Sequence, residues 1–279
     1  AIQTQIAQCD VQYVQFPTFD NDPETGQIRQ LSGYLYTPRE ALDAKDRWVR
    51  IKSFYGGENS FSIENQIYCE AGVVTFSPAV RGSWGFGTDF YRLNDGDLGG
   101  DEIADLFAAG KWLVKRGYSA DKIGVYGRSH GGYATMRALT FPPGTNGHQE
   151  VFPFAFGMAD AGFSDIIDFY EQCNIPDWVL MEAGDPRTEK KKLLDRSPIS
   201  HVDKLRAPLF LSHGENDNRV PVSGSKRMYD ACINAKKDCT FVAFPGQGHT
   251  VHGLANQQRL YQARFSFLEQ VANTTATQE

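Results

Sequence analysis

GVYGRSHGGYATM, residues 124–136, sets one serine among glycines directly after a run of strand-forming residues. Within it, Gly127-Arg128-Ser129-His130-Gly131 fits G-x-S-x-G, the signature of a strand-to-helix turn so sharp that only glycine tolerates the flanking contacts. The serine hydroxyl then stands exposed at the tip. The plainer alternative is a serine that merely caps a helix starting at His130. A pentapeptide this short arises by chance in a chain with 27 glycines, so residues elsewhere decide between the two.

Working outward, the segments WVRIKSFYG (48–56), GVVTFSPAV (72–80), KIGVYG (122–127), FPFAFGMAD (152–160), APLFLSHG (207–214) and CTFVAFPG (239–246) read as apolar strands. Stretches of helical period separate them. Helices are expected over 100–117, where Ile103, Leu106, Phe107 and Leu113 share a face, and over 130–140, 164–171, 222–236 and 253–273. Strands alternating with helices predict an α/β fold, a mostly parallel sheet covered on both faces. Ahead of it, 10–19 and 28–38 alternate around the turn cluster Asn21-Asp22-Pro23-Glu24-Thr25-Gly26, which predicts an N-terminal antiparallel hairpin. No internal repeat or linker interrupts the pattern, so residues 1–279 are expected to form one domain.

Composition narrows the classes of function. Hydrophobic residues make up 41% of the 279 and charged residues 22%, the balance of a globular protein. A net charge of −6 argues against nucleic acid as a partner, because a phosphate backbone is bound by clustered Lys and Arg. The run Lys190-Lys191-Lys192 lies between acidic residues and reads as a solvated helix face. No apolar run approaches the ~18 residues of a membrane span, so no membrane partner is expected. The chain opens on Ala1 without a signal-like pattern, and no cellular address is read from it. The five cysteines form no C-x-x-C pair, which argues against a structural metal; Cys232 and Cys239 flank a helix-to-strand turn and are either a disulfide or buried thiols.

Polar residues suited to catalysis gather where the strands end, the place where open α/β sheets bind ligands. A serine hydroxyl is a weak nucleophile until a base takes its proton, and a histidine is a good base only when an acid holds its tautomer. Ser129, Asp217 and His249 follow three of the expected strands in that order, which is the order of the α/β-hydrolase fold. Glu215 and Asp160 compete with Asp217 for the acid, and His252 competes with His249 for the base. His148 and His201 read as surface residues, His213 as a structural one. A dinucleotide-type glycine turn at PGQGHTVHG lacks the rest of its βαβ unit, and His249 with His252 lacks a third metal ligand. No cofactor or metal is expected.

Five stretches, FYGGENS (54–60), VRGSWGFG (80–87), YGRSHGGY (126–133), HGENDNRVP (213–221) and PGQGHT (245–250), resemble the catalytic domain of the prolyl oligopeptidase family of serine peptidases, in that family's order. The resemblance implies an α/β-hydrolase domain that cleaves peptide substrates through an acyl-enzyme. It assigns attack to Ser129, proton transfer to His249 and orientation of the imidazole to Asp217. The oxyanion is expected to meet the His130 N–H and the Tyr55 hydroxyl. Arg219 is expected to bind a substrate backbone carbonyl, and Val220, Phe163, Ile166, Phe169 and Tyr170 to line an apolar acyl-side pocket. Proline-cleaving members carry a tryptophan where Ile166 stands, which counts against a preference for proline. Glu58 replaces an aromatic of the endopeptidase, and the N-terminal β-propeller of the family is missing from this chain. A carboxylesterase with the same triad and a binding domain on an inactive scaffold are the competing expectations.

Overall fold

The computed structural model describes residues 8–41, 45–54, 56 and 61–276. Its strands are β1 (Cys9–Asn21), β2 (Ile28–Pro38), β3 (Val49–Lys52), β4 (Val74–Pro78), β5 (Ile123–Arg128), β6 (Gly157–Asp160), β7 (Leu209–Gly214) and β8 (Cys239–Phe244). They form one sheet in the order β1-β2-β4-β3-β5-β6-β7-β8. β1 pairs antiparallel with β2 and β2 with β4, and every later pairing is parallel. This is the expected α/β-hydrolase architecture with its leading hairpin.

Alternation along the strands divides the core between the two faces of the sheet. Ile123, Val125, Leu209 and Leu211 point to one side, where helices Asp101–Lys115 and His130–Thr140 pack. Tyr126, Met158 and Phe210 point to the other, against Leu260, Phe267 and Val271 of helix Leu254–Ala276. The strands β3 to β7 are buried on both faces, as crossover helices demand. β8 closes the edge and is half-buried along most of its length.

Helix His130–Thr140 matches its expected span, and every residue in it is buried. Expected and observed boundaries differ by a few residues elsewhere. The 164–171 helix begins at Ile166 because Asp165 caps it, its carboxylate accepting from the Ile167 and Asp168 N–H groups at 3.0 and 3.2 Å. The apolar run 152–160 is a strand only over Gly157–Asp160. Pro153 has no N–H to give a ladder, and Phe152, Phe154 and Phe156 bury their rings from a loop instead.

One cysteine pairing lies outside what the sequence predicts, while Cys232 and Cys239 follow one of the two readings open to them. Cys9 is bonded to Cys69 across 60 residues, tying the start of β1 to the end of helix Ile63–Glu70, whereas Cys232 and Cys239 are free thiols. Cross-linking so distant a pair removes much of the unfolded chain's freedom. Cys69→Ser is therefore expected to lower unfolding free energy by about 2–4 kcal/mol, read as a shift in urea midpoint. Equal midpoints with and without a reducing agent in the wild-type protein would refute this.

Candidate active site

Between β5 and helix His130–Thr140, Ser129 adopts φ 62°, ψ −120°, a conformation that costs a non-glycine residue about 1–3 kcal/mol. Bonds on both sides hold it there. Its N–H donates to the Asp160 carbonyl at the end of β6 (2.9 Å), and its carbonyl accepts from the Tyr133 N–H (3.0 Å). The flanking glycines are needed for close approach. A Cβ at position 127 would lie 2.4 Å from Ser53 Oγ and 2.8 Å from Gly131 Cα, and one at position 132 would lie 2.6 Å from the Asp160 carbonyl oxygen.

The side chain of His130 turns inward beneath Ser129. Its Nε2 lies 2.9 Å from Glu102 Oε2, and its ring packs edge-on to Phe54 and Trp178. Burial works against the imidazolium, yet the charges of Glu102 and Glu182 outweigh it and hold the His130 pKa above its ordinary value.

Asp217 follows β7 in a tight loop and is buried. Its Oδ1 accepts from the Arg219 and Val220 N–H groups at 2.9 and 3.0 Å, and its Oδ2 lies 2.7 Å from His249 Nδ1. The second neighbour, His213, is also buried; its Nε2 lies 2.8 Å from the Val220 carbonyl and 3.3 Å from Asp217 Oδ2. Burial alone would raise the Asp217 pKa. Hydrogen bonds from His213, His249 and Val220 reverse that and hold the carboxyl far below its ordinary value.

The competing residues have other partners or are exposed. Asp160 is held by Arg264 and Ser212, Glu215 is exposed, and the His252 N–H is bound to Gln247 Oε1 on an exposed loop. No group of three His, Cys, Asp or Glu among the described residues is arranged to hold a metal ion.

A cavity of about 820 Å³ opens over Ser129 and His249. It has two sides. On one, Phe163, Phe169, Ile175 and Trp178 form an apolar wall, with Phe163 and Phe169 stacked 4.1 Å apart between centroids. On the other, the lining is Arg128, Thr250, Gln257, Tyr126 and Tyr261, toward helix Leu254–Ala276. Arg219 is exposed at the cavity.

Of the pocket residues expected from sequence, Phe163 and Phe169 line this space and three do not. Ile166 and Val220 are fully buried in the core, and Tyr170 packs against that core from a half-buried position. The reason is local: Ile166 starts a helix whose buried face carries Phe169 one turn later, so only the aromatic reaches the cavity. Tyr55 and Glu58 lie outside the described residues.

A family model described as the prolyl oligopeptidase family matches residues 59–275. The chain belongs to the prolyl oligopeptidase family. This member of the family is 34% identical over 216 residues to dipeptidyl aminopeptidase BIII of Pseudoxanthomonas mexicana, an alignment covering 72% of this chain and 28% of that protein. With the acylamino-acid-releasing enzyme of Homo sapiens it shares 26% over 192 residues, 66% of this chain and 25% of that one. The chain thus spans about a quarter of the length of the curated relatives it matches. Pyrococcus horikoshii acylaminoacyl peptidase superposes with a TM-score of 0.82 at 20% identity, covering 96% of this chain and 42% of that structure, which shows the shared α/β-hydrolase fold.

Ile175 and Trp178 are the residues of the apolar wall that sequence reading missed. They sit at the start of helix Pro176–Glu182, two turns long and too short to show an apolar period. The signal was Pro176, a residue favoured at the first helical position, next to a lone tryptophan.

Proposed function

We propose that this chain is the catalytic domain of a serine peptidase that cleaves short peptides after an apolar residue. The observation that carries the proposal is the Asp217–His249 pair, 2.7 Å apart at Oδ2 and Nδ1, opening with the strained Ser129 onto one aromatic-walled cavity. Asp217 accepts a hydrogen bond from His249 Nδ1–H, which keeps the proton on Nδ1 and leaves Nε2 of the neutral imidazole with a lone pair. Nε2 takes the Ser129 proton as Oγ attacks the scissile carbonyl. The resulting oxyanion meets the His130 N–H, at the positive end of helix His130–Thr140, and the Tyr55 hydroxyl. His249 then protonates the leaving amine, and water releases the acyl group by the reverse exchange.

Arg219 extends this site along the acyl side, its fixed fork of donors suited to a backbone carbonyl. The test of the proposal is a panel of purified substrates. Ala-Phe-p-nitroanilide, N-acetyl-Phe-p-nitroanilide and the matching esters separate dipeptidyl, acylaminoacyl and esterase activity. Hydrolysis of an anilide is the expected result. Cleavage of esters alone would overturn it.

Trp178 forms the apolar wall with Phe163 and Phe169, its ring lying edge-on to both. Trp178→Ala is expected to lower kcat/KM for the phenylalanine substrate about tenfold or more, and less for its alanine counterpart, because burial of a large ring contributes a few kcal/mol. Equal losses on the two substrates would assign Trp178 to packing alone.

A further inference from the structure

Arg128 is the residue just before the nucleophile and has no role in the scheme above. Its side chain is exposed and lines the cavity. The guanidinium makes one hydrogen bond to a described residue, Nη1 to Thr250 Oγ1 at 2.8 Å, and no carboxylate among the described residues pairs with it. Thr250 follows His249 directly, so this bond joins the nucleophile turn to the base loop across 122 residues and sets the cation beside the imidazole.

The chemistry says which side of the scissile bond that is. The imidazole that receives the Ser129 proton delivers it to the leaving amine, so the leaving group departs past His249. The aromatic wall belongs to the opposite side: Phe163 and Phe169 are part of the core over one face of the sheet, and Tyr126, Leu260 and Val251 part of the core over the other. Arg128 stands two residues beyond Tyr126 on β5 and so shares its face of the sheet, and Thr250 adjoins Val251, which places both with the second group along the cavity lining.

Charge on this side is unbalanced. Two carboxylates also line it, but arginines already hold both: Glu64 lies 2.5 Å from Arg50 and 3.5 Å from Arg264, and Asp160 is bound to Arg264. Among the described residues four N–H donors of Arg128 have no partner, and a guanidinium matches a carboxylate with two parallel bonds. A peptide advances about 3.3–3.6 Å per extended residue. A side chain next to the nucleophile therefore reaches the end of a leaving group one or two residues long.

We infer that Arg128 recognises the C-terminal carboxylate of a short leaving peptide, which makes free-ended tri- and tetrapeptides the favoured substrates. This rests on the peptidase reading above. The peptide Ala-Phe-Ala-Ala, with a free carboxylate or as its carboxamide, and the same pair beginning at N-acetyl-Phe, are compared in wild type, Arg128→Gln and Arg128→Lys. Wild type is expected to prefer the carboxylate by about tenfold in kcat/KM, expressed in KM, the modest value fitting an exposed charge.

In Arg128→Gln the preference should fall to about one. Arg128→Lys should keep part of it, since an ammonium supplies the charge without the fork. A wild-type protein indifferent to the end group, or a preference that survives Arg128→Gln, overturns the assignment. Ala-Phe-p-nitroanilide carries no carboxylate and isolates the parent reading. Failure of wild type to cleave any of these amides refutes the peptidase, and the role of Arg128 with it; anilide cleavage with no end-group preference refutes Arg128 alone.

Discussion

Replacing Ser129 by alanine is expected to lower kcat/KM by about 10⁴ to 10⁶ and to abolish labelling by a fluorophosphonate. Attack needs an oxygen at this one position, and neither oxyanion donors nor the apolar wall can supply it. The protein should stay folded. Ser129 is half-buried at a turn tip held by backbone bonds to Asp160 and Tyr133, which alanine keeps. Unfolding in urea at the wild-type midpoint, with no label taken up, is the combined outcome sought. Labelling that persists in the variant would move the nucleophile elsewhere.

The second large effect belongs to Asp217→Asn, for which a loss of about 10⁴ in kcat is expected. An amide in place of Oδ2 can offer His249 a donor, which stabilises the tautomer carrying its proton on Nε2, where Ser129 needs an acceptor. Stability should change as well, with a definite sign. The folded carboxyl is held below its ordinary value of 3.8, so the unfolded chain binds the proton more readily. The stabilisation is complete above that ordinary value and drains away as pH falls toward the folded one. Urea midpoints of wild type and Asp217→Asn should thus differ most near neutrality and converge in acid. A gap that is constant from neutral to acid pH would mean that Asp217 contributes no ionisation-linked stability.

Much of the fold was legible because period and punctuation agree. β5, β7 and β8 are apolar runs closed by glycines, and Asp217 and His249 stand in the loops after β7 and β8 where open sheets carry their chemistry. What stayed hidden depends on distance or on short elements. The Cys9–Cys69 bond joins residues 60 apart, a pairing that no local pattern encodes. Helices Pro176–Glu182 and Lys190–Arg196 run seven residues each, too few for a period to show, and Trp178 was lost with the first. Ile166 is read as a pocket residue because it stands where the family resemblance implies a tryptophan, whereas in the fold it is buried in the core and Phe169, one turn later, lines the cavity.

The position of β8 at the sheet edge bears on how the molecule comes alive. β5, which carries the proposed nucleophile, lies between β3 and β6, while the proposed base follows a strand that among the described residues pairs only with β7 and is made last among the eight. Pairing of β8 with β7 runs from Leu209↔Cys239 to Gly214↔Phe244, and only then does the loop bearing His249 meet Asp217. A chain emerging from the ribosome can therefore build most of this sheet and its nucleophile turn before Asp217 has its partner His249. Under the proposed mechanism, the triad is complete only once the eighth strand has joined the sheet.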